Sequence, residues 1–403
     1  MRAGIYIEHG IGDGVGGAEL AMSCLASEWS QHHDVDLIHH RPPLTKERIA
    51  SFSSDDLSGV SIRCVPRDGE PVVSRNLLKR YRSARDWHRT ISDGYDVFVN
   101  CTHWVPCFNY ADQGILFVLF PIYVRPEHTE SIRRLPAWKR LRHSTYYGAE
   151  WRQRIATYEQ RLTISEFSRS WTRTRWGIDC DVVHPPVDLE FAAREKDAVI
   201  LSVGRFSTQA HTKKQLEMVT AFRELERDRG PASSWTYACV GGLNARQENH
   251  DYFARVKAAG GSSGSVHVAA NLPHAEVREL FERAKIFWHA TGFGDATDSK
   301  PELAEHFGIA TVEAMAAGCV PVVVDKGGQR EIVEHGRSGF LWSTLDQLKA
   351  FTQMLMDDPR LWREMSVAAR ARAQRFSRTT FVREMSRRAG VATFDGAALP
   401  AIA

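Results

Sequence analysis

The sequence predicts an α/β protein made of two doubly wound domains, each built around a parallel sheet. Three observations lead to this prediction. Short apolar segments alternate with amphipathic segments along the chain, and this alternation occurs twice. The chain has 403 residues, which is enough for two domains of ordinary size. We therefore expect two Rossmann-like sheets that face each other across a central cleft.

Composition excludes several classes of protein. Hydrophobic residues make up 43% and charged residues 25% of the chain, an ordinary globular mixture that excludes disorder and collagen-like repeats. The net charge of +3 is too small to indicate nucleic-acid binding. No run of 18 apolar residues predicts a spanning helix, and Glu8 comes too early for a signal peptide. Seven scattered cysteines favour reduced thiols, so we expect a cytoplasmic protein.

The first half shows a strand–helix pattern that begins at once. A strand over 3–9 precedes a helix over 18–30. Further strands are predicted over 35–40, 95–101 and 115–120, and apolar segments at 162–165 and 180–188 end this half.

The second half repeats the pattern more regularly. Strands are predicted over 198–204, 235–242, 266–270, 286–291 and 320–325. Helices are predicted over 215–227, 250–259, 274–284, 308–317, 344–357, 359–376 and 378–389. The double proline at 185–186 suggests a stiff connection between the halves. We predict domains over 1–190 and 191–376, with a helix returning to the first domain and a loose tail over 377–403.

The first polar segment of interest follows the first strand. Gly12, Gly14 and Gly17 satisfy the G-x-G-x-x-G pattern of dinucleotide-binding proteins. That function also needs an acid at the end of the second strand, where His39 and His40 stand instead. A nicotinamide-dependent dehydrogenase is therefore a weak alternative, although glycines before a helix suit a phosphate or a sugar hydroxyl.

Two further segments follow strands of the second half. Arg205 comes directly after a strand, and Lys213 or Lys214 opens the next helix, so their charges can meet at a diphosphate. Glu305 precedes the helix that Gly308 introduces, and Glu313 lies within it. Two carboxylates in this position can accept hydrogen bonds from sugar and ribose hydroxyls.

These three segments together resemble a family 4 glycosyltransferase of the GT-B fold. The resemblance is strongest between 198 and 376. Its specific part is the E-x7-E segment from Glu305 to Glu313, followed by Ala317-Gly-Cys-Val-Pro-Val322. The Gly-Arg and Lys segment supports it, with Lys213 at the position of the family's lysine and Lys214 at that of its usual glycine. The segments Gly327–Glu331, Gly339–Leu341 (expected as a turn) and Arg375–Ser377 also resemble the family.

The resemblance implies a role for each of these residues. Arg205 and Lys213 would neutralise the donor's diphosphate, Glu313 would bind the ribose, and Glu305 would hold the transferred sugar. Three backbone N–H groups would lie beside Glu305, those of Phe307, Gly308 and Ile309. Gly16 and Gly17 would approach the donor from the first domain, and Asn271 and Leu272 would lie near the base.

The implied activity is transfer of a hexosyl unit from a nucleotide diphospho-sugar, with retention of configuration, to a hydroxyl acceptor. The donor would be a UDP-hexose or GDP-mannose, and the linker Pro185-Pro-Val-Asp188 resembles that of some mannosyl-transferring branches. The acceptor would be a glycan, a lipid-linked glycan or a metabolite. A GT-B subunit that binds a nucleotide sugar without catalysis is the alternative.

One residue departs from the family pattern. Many members carry a histidine at the end of a first-domain strand, where this chain has Leu119 or Pro121. His103, after the preceding strand, is a candidate substitute. Asp34-Val-Asp36 and Asp179-Cys-Asp181 resemble a metal-binding D-x-D motif but lie at or before strand starts. Because Arg205 and Lys213 supply the charge, we expect no metal and no cofactor.

Two stretches of the first half are locally basic. Residues 75–89 hold six Lys or Arg and one acid, and 133–154 hold seven and one. Trp138, Tyr146, Tyr147 and Trp151 are interleaved in the second stretch. This mixture suits a peripheral contact with a membrane surface or an anionic acceptor, although a solvated helix face explains it equally well. No nucleic-acid-binding motif accompanies it.

Overall fold

The computed structural model describes residues 1–7, 16–40, 45–50, 53, 55–65, 77–122, 136–208, 212–230, 234–262 and 264–391. The chain divides into two compact units. Unit 1 comprises Met1–Thr163, Thr172–Pro186 and Arg378–Ala403, and unit 2 comprises Ile164–Trp171 and Val187–Ser377. The division therefore falls at Pro186 rather than at the predicted residue 190, and residues 164–171, expected in the first domain, belong to unit 2.

Unit 1 contains a parallel sheet in the order β3-β2-β1-β4-β5-β6-β7. Its strands are β1 (Arg2–Ile7), β2 (Asp34–His39), β3 (Val60–Cys64), β4 (Val97–Thr102), β5 (Gln113–Val118), β6 (Gln160–Thr163) and β7 (Asp181–Val182). Its helices are α1 (Gly17–Ser30), α2 (Lys46–Ala50), α3 (Leu77–Ser92) and α4 (Ala137–Ala156), and α5 (Glu166–Trp176) begins in unit 2 and ends in unit 1.

The sheet of unit 1 is buried on both faces, as near-continuous apolar strands require. β4 is wholly buried, and β1 and β5 are buried beyond their first residue. A core on this sheet gathers Phe98, Leu116 and Val118 with Trp151 and Trp176 from the helices. Trp151, expected among the basic residues of a surface, is therefore a core residue.

Unit 2 contains a parallel sheet in the order β10-β9-β8-β11-β12-β13. Its strands are β8 (Asp197–Val203), β9 (Thr236–Gly241), β10 (Val266–Ala270), β11 (Ala284–His289), β12 (Val320–Val324) and β13 (Phe340–Trp342). Its helices are α6 (Gln215–Arg229), α7 (Gln247–Gly260), α8 (His274–Arg283), α9 (Ile309–Ala317), α10 (Gln329–Ile332), α11 (Leu345–Asp357) and α12 (Pro359–Ala373). Short 3-10 helices cover Pro301–Leu303 and Gln374–Phe376.

The strand order of unit 2 fixes where its loops meet. Strands β9 and β10 follow β8 on one side of the sheet, and β11 then pairs with β8 on its other side. Sheets of this kind bind ligands outside the carboxyl ends of the two strands at which the order reverses. In unit 2 those strands are β8 and β11, which pair through Ile200 with Ile286 and Leu201 with Phe287.

The last helix, α13 (Arg378–Arg388), packs on unit 1. Trp29 Nε1 in α1 donates to Ser386 Oγ at 2.8 Å, and the ring of Phe381 meets that of Phe117 edge-on with centroids 6.1 Å apart. Arg378 pairs with the buried Asp55, and Arg388 with Asp181. The polar contacts and the ring contact together make α13 part of unit 1.

Several predicted elements differ from the structure. The strand expected over 180–188 is limited to Asp181–Val182, and the turn expected over Gly339–Leu341 includes most of strand β13. The helix predicted from residue 250 begins at Gln247, and the one predicted over 359–376 ends as an α-helix at Ala373. Strand β3 and helices α2–α5 were not predicted as elements.

Candidate functional site

The candidate site lies at the carboxyl edge of the unit 2 sheet, where the loops after β8 and β11 meet. Lys213 comes from the loop after β8, and Glu305 from the long loop after β11. Lys213 Nζ lies 2.5 Å from Glu305 Oε2, and both side chains are about one-fifth exposed. The two residues are 92 positions apart, so the sheet order brings them together at its reversal point.

Lys213 is held in place by a glycine on the strand end. A Cβ at Gly204 would lie 2.6 Å from Lys213 Cγ, so the aliphatic part of the lysine covers this glycine closely. A larger residue at 204 would displace the lysine. The ammonium group is thereby directed to the end of β8.

His289 ends strand β11 and reaches the same carboxylate. Its Nε2 lies 3.0 Å from Glu305 Oε2 and 3.2 Å from Thr291 Oγ1. Burial lowers the pKa of His289, and the ammonium of Lys213 lowers it further, while Glu305 acts in the opposite direction. His289 is therefore a neutral imidazole at neutral pH.

The N-terminus of α9 follows Glu305 directly. Gly308 is its N-cap with a φ of 128°, in the region that favours glycine, and Phe307 is buried in front of it. Residues 307–309 therefore lead into the first turn, where Thr311 N donates to Gly308 O at 3.0 Å and the N–H groups before Thr311 precede the regular hydrogen bonds of the helix. Their partial positive charge favours an anion or a hydroxyl oxygen at this point.

The loop after β12 braces the segment that carries Glu305. Gly328 N donates to Glu305 O at 2.8 Å. Added Cβ atoms at Gly327 and Gly328 would lie 2.2 Å from Glu305 O and 2.6 Å from Phe307 Cα. The two glycines are needed because the backbones touch. They fix the main chain of Glu305 and so the direction of its side chain.

Glu313 lies one turn into α9 among other charged groups. Burial raises the pKa of Glu313 to about 7, the charge of Asp188 raises it as well, and Arg278 lowers it. Arg278 Nη1 binds Asp188 Oδ2 at 2.8 Å, and its other nitrogen Nη2 donates to Glu190 O. The carboxyl therefore changes its charge close to neutral pH.

Arg205 and the two residues proposed near the base lie on neighbouring loops of the same edge. Arg205 is exposed, and its guanidinium has no hydrogen bond or ion pair within the part of the chain that the structure describes. Asn271 has a φ of 55° and joins two loops: its amide bonds to Leu243 O at 3.0 Å and Leu243 N at 2.8 Å. Leu272 follows it, half-buried.

Lys214 adopts a backbone conformation that is unusual for its residue type. Its φ of 56° and ψ of 37° are left-handed, and it caps α6. This is the position at which the resembling family has glycine. Its ammonium points elsewhere than that of Lys213 and binds Asp295 Oδ1 at 2.8 Å. Lys326 Nζ holds the same loop through Gly292 O at 3.0 Å and Asp295 O at 3.1 Å.

The residues predicted in unit 1 are described in part. Gly12 and Gly14 lie outside the described residues. Gly16 caps α1, and its N–H already donates to Glu19 Oε2 at 2.9 Å, while Gly17 is the first residue of α1. His103 follows β4, with Nδ1 3.3 Å from Phe120 O.

Two other positions in unit 1 that the sequence analysis named have internal partners: Leu119, at the place of the family's histidine, and Asp36, in a D-x-D motif. Leu119 is buried, and its N–H donates to Thr102 O. Asp36 accepts from Tyr95 Oη at 2.6 Å and Arg2 Nη2 at 3.0 Å, which makes it a structural acid. Among the described residues no group of three His, Cys, Asp or Glu side chains is placed to hold a metal ion.

Sequence reasoning missed four residues at this edge: His289, Thr291, Asp295 and Lys326. The signal for His289 was present, because it is a polar residue that ends an otherwise apolar strand, Ile286-Phe-Trp-His289. Gln329 was also missed. It is fully buried beside Gly308, and neither of its amide atoms finds a partner among the described residues.

The site and fold together define a class of protein. Residues 189–372, nearly all of unit 2, match the family of glycosyl transferases group 1. The fold of two parallel-sheet α/β domains is that of GT-B glycosyltransferases. The stretch that matches this family contains Lys213, Glu305 and Glu313.

Particular relatives share this domain or this fold. A Dictyostelium discoideum GDP-Man:Man(3)GlcNAc(2)-PP-Dol alpha-1,2-mannosyltransferase is 26% identical over 223 residues, 52% of this chain and 42% of that protein. The sucrose synthase of Acidithiobacillus caldus is 36% identical over 85 residues, 19% of this chain and 11% of that protein. The chain thus aligns with less than half the length of these curated relatives.

Solved structures show the likeness over the whole chain. Anabaena HepE in complex with UDP is similar with a TM-score of 0.65 at 16% identity, covering 96% of this chain and 99% of that one. WaaG, a glycosyltransferase involved in lipopolysaccharide biosynthesis, is similar with a TM-score of 0.59 at 15% identity, covering 96% of this chain and 98% of that one. At these identities the likeness concerns the fold.

Proposed function

We propose that this chain is a retaining family 4 glycosyltransferase. It moves a hexosyl unit from a nucleotide diphospho-sugar to a hydroxyl of a glycan, lipid-linked or small-molecule acceptor. The observation that carries this proposal is the Lys213–Glu305 contact of 2.5 Å at the reversal point of the unit 2 sheet. A cation and an acid at this point, beside a helix N-terminus, suit a diphosphate and a sugar.

The proposed mechanism is a front-face displacement. The bond between the sugar carbon and the diphosphate oxygen breaks ahead of attack, so negative charge collects on the leaving diphosphate. Lys213, Arg205 and the N-terminus of α9 stabilise that charge more in the transition state than in the ground state. The departing oxygen takes the proton of the acceptor hydroxyl as the new glycosidic bond forms on the same face.

The remaining residues position the donor. Glu305 accepts hydrogen bonds from hydroxyls of the transferred sugar, and Glu313 does so from the ribose, as the ionised carboxylate. Asn271 and Leu272 line the base, and Gly16, Gly17 and His103 contribute from unit 1. Because Lys213 and Arg205 supply fixed positive charge, the proposed reaction needs no metal ion, and activity is expected to survive a chelator.

Two donors are to be tested first. The name of the Dictyostelium relative favours GDP-mannose, and HepE has been crystallised with UDP-glucose. A thermal-shift panel of UDP, GDP, dTDP and ADP identifies the base, and release of nucleotide from the matching sugar nucleotides then measures turnover. We expect one base to raise the melting temperature and its sugar nucleotide to be consumed.

The decisive variant is Lys213→Ala, with Lys214→Gly as its matched control. Lys213→Ala is expected to lower kcat/KM by about 10²–10³-fold, the loss typical of one group that stabilises transition-state charge. Lys214→Gly removes the adjacent ammonium, which binds Asp295 instead, and is expected to keep wild-type turnover.

Three results would contradict the proposal. Binding of a nucleotide without any donor turnover would indicate a non-catalytic binding subunit. Equal activity of Lys213→Ala and Lys214→Gly would show that Lys213 does not contribute to donor turnover. A product whose anomeric proton shows inversion in NMR spectra would exclude the retaining mechanism.

A contact with an anionic lipid surface is the second part of the proposal. Helix α4 of unit 1 exposes Trp138 (63%) and Leu141 (66%), which lie one turn apart, and Lys139 Nζ lies 5.3 Å from the Trp138 ring centroid. Aromatic, aliphatic and basic groups together suit a membrane interface. No helix within the described residues is long and apolar enough to cross a membrane.

Vesicle sedimentation tests this contact. Wild type is expected to sediment with phosphatidylglycerol vesicles and not with phosphatidylcholine vesicles, and Trp138→Glu should abolish sedimentation. Val367→Glu, at an equally exposed apolar position in unit 2, is the matched control and should sediment as wild type does. Equal sedimentation of both variants would reject α4 as the contact.

A further inference from the structure

One carboxylate oxygen in the site has two partners, of which only one has a role in the proposed reaction. Glu305 Oε2 lies 2.5 Å from Lys213 Nζ and 3.0 Å from His289 Nε2. Lys213 is needed by the diphosphate when a donor binds. His289 is buried at the end of β11, with its side chain 5% exposed, and is not assigned to any substrate group.

The surroundings of His289 decide which nitrogen carries its proton. Nδ1 is buried and has no partner among the described residues, so a hydrogen there would be left without an acceptor. Nε2 faces the Glu305 carboxylate and the Thr291 hydroxyl, and a lone pair there would face an anion. The neutral tautomer with the hydrogen on Nε2 is favoured, because it donates to Glu305 and leaves only a lone pair, rather than a hydrogen, unpaired at Nδ1.

We propose that His289 is a positioning residue that holds Glu305 through a neutral Nε2–H donor while Lys213 moves to the donor diphosphate. This inference rests on the proposed function, because it assumes that a diphosphate draws Lys213 away. Glu305 Oε2 then keeps its hydrogen bond from His289, and the carboxylate keeps its orientation towards the sugar. Without His289, the departure of Lys213 would remove both of these contacts from Oε2.

The charges around His289 support a donor that stays neutral. Among the described residues, the charged groups that act on the pKa of His289 are Glu305 and Lys213, and burial opposes a charge on the ring. An imidazolium would place a second hydrogen on Nδ1, which lacks an acceptor. The ring is anchored through β11, whose Trp288 is fully buried and donates to Thr352 Oγ1 at 2.9 Å.

The first test is spectroscopic and needs no ligand. Nitrogen-15 shifts of labelled wild-type protein, with His289 assigned by comparison with His289→Gln, distinguish the two neutral tautomers and the imidazolium. The Nε2–H tautomer is expected at neutral pH. The Nδ1–H tautomer or an imidazolium would overturn the inference, whatever the protein binds.

The second test distinguishes the effect of the hydrogen bond from His289 to Glu305 from the effect of the volume of the His289 side chain. His289→Gln keeps an N–H donor at the place of Nε2, and His289→Leu keeps volume but removes the donor. Relative to wild type, we expect His289→Leu to lower kcat about 10–100-fold, the range seen when a residue that orients an active-site ligand is removed. His289→Gln should restore kcat to within about threefold, because either donor leaves Glu305 fixed.

Controls keep the outcomes distinct. His267→Leu, on an exposed position of β10, should turn over donor as wild type does. Melting temperatures show whether His289→Leu has lost its fold, in which case the spectroscopic result decides. Equal kcat of folded His289→Leu and wild type would reject the inference alone, whereas a wild-type protein that binds no nucleotide sugar would reject the proposed function.

Discussion

The two units share a topology and differ in what their carboxyl edges carry. In each sheet the order reverses beside the first strand, between β1 and β4 in unit 1 and between β8 and β11 in unit 2. In unit 2 this point holds a lysine, an acid and a histidine in contact. In unit 1 the described residues include a contact between two neutral side chains near the ends of β1 and β2, with Tyr6 Oη 2.5 Å from His40 Nε2.

This difference shows that the fold sets the place of a site and the loops set its chemistry. The family match covers 189–372, which lies almost wholly in unit 2. The matched stretch includes the loops after β8 and β11, which carry Lys213 and Glu305.

The largest expected effect compares one residue from each unit. Glu305→Ala should lower kcat/KM by about 10²–10³-fold, because the transferred sugar loses its carboxylate partner. His103→Ala should lower it by about tenfold or less, since its ring is engaged with Phe120 O at 3.3 Å. Donor turnover by the two variants measures the difference. A larger loss of kcat/KM for His103→Ala than for Glu305→Ala would show that the greater catalytic contribution comes from unit 1.

The next largest effect is a dependence of stability on pH, which arises from Glu313 in unit 2. Burial raises the pKa of Glu313 to about 7 from an ordinary 4.5, so folding favours the protonated carboxyl. Its stabilising contribution is complete below pH 4.5 and is lost as pH rises through 7. Over that range wild type should lose up to about 3 kcal/mol of unfolding free energy from this group.

Glu313→Gln measures that contribution directly. The variant never ionises, so denaturant unfolding should find it more stable than wild type at pH 8 and equal to it at pH 5. Its nucleotide affinity should fall, because the ribose hydroxyls lose a charged acceptor. An equal difference in unfolding free energy at both pH values would refute the raised pKa.

The smallest effect concerns Lys214, the residue next to Lys213. Lys214 has a φ of 56°, a conformation that costs a residue with a Cβ about 1 kcal/mol relative to glycine. Lys214→Gly relieves this cost and loses only a partly exposed ion pair, so its unfolding free energy should stay within about 1 kcal/mol of wild type. Lys214→Ala, which keeps the strain, should be about 1 kcal/mol less stable than Lys214→Gly.

The sequence predicts unit 2 better than unit 1, for a physical reason. The strands β8–β12 of unit 2 are largely apolar segments, and each was placed to within about two residues, whereas β13 was expected as a turn. Strand β3 in unit 1 is Val-Ser-Ile-Arg-Cys, half-polar at the sheet edge, and its pattern does not separate it from a loop. Helices α3 and α4 were visible as basic stretches, but charge alone does not define a helix.

The site was predictable as a set of residues and not as a set of contacts. Lys213 and Glu305 were found by their positions after strands, yet their contact depends on β8 lying beside β11, which periodicity does not reveal. His289 was missed because a single histidine in a strand is usually structural. The left-handed Lys214 was marked only by its place where the resembling family has glycine.

The placement of α13 has a consequence for synthesis. The strands of unit 1 leave the ribosome first, but the helix that covers Trp29 and Phe117 is encoded at residues 378–388, after all of unit 2. During translation, the apolar surface that α13 covers in unit 1 therefore stays exposed until all of unit 2 has been synthesised. A chain that stops at residue 377 would retain that exposed face and invite chaperone capture or aggregation.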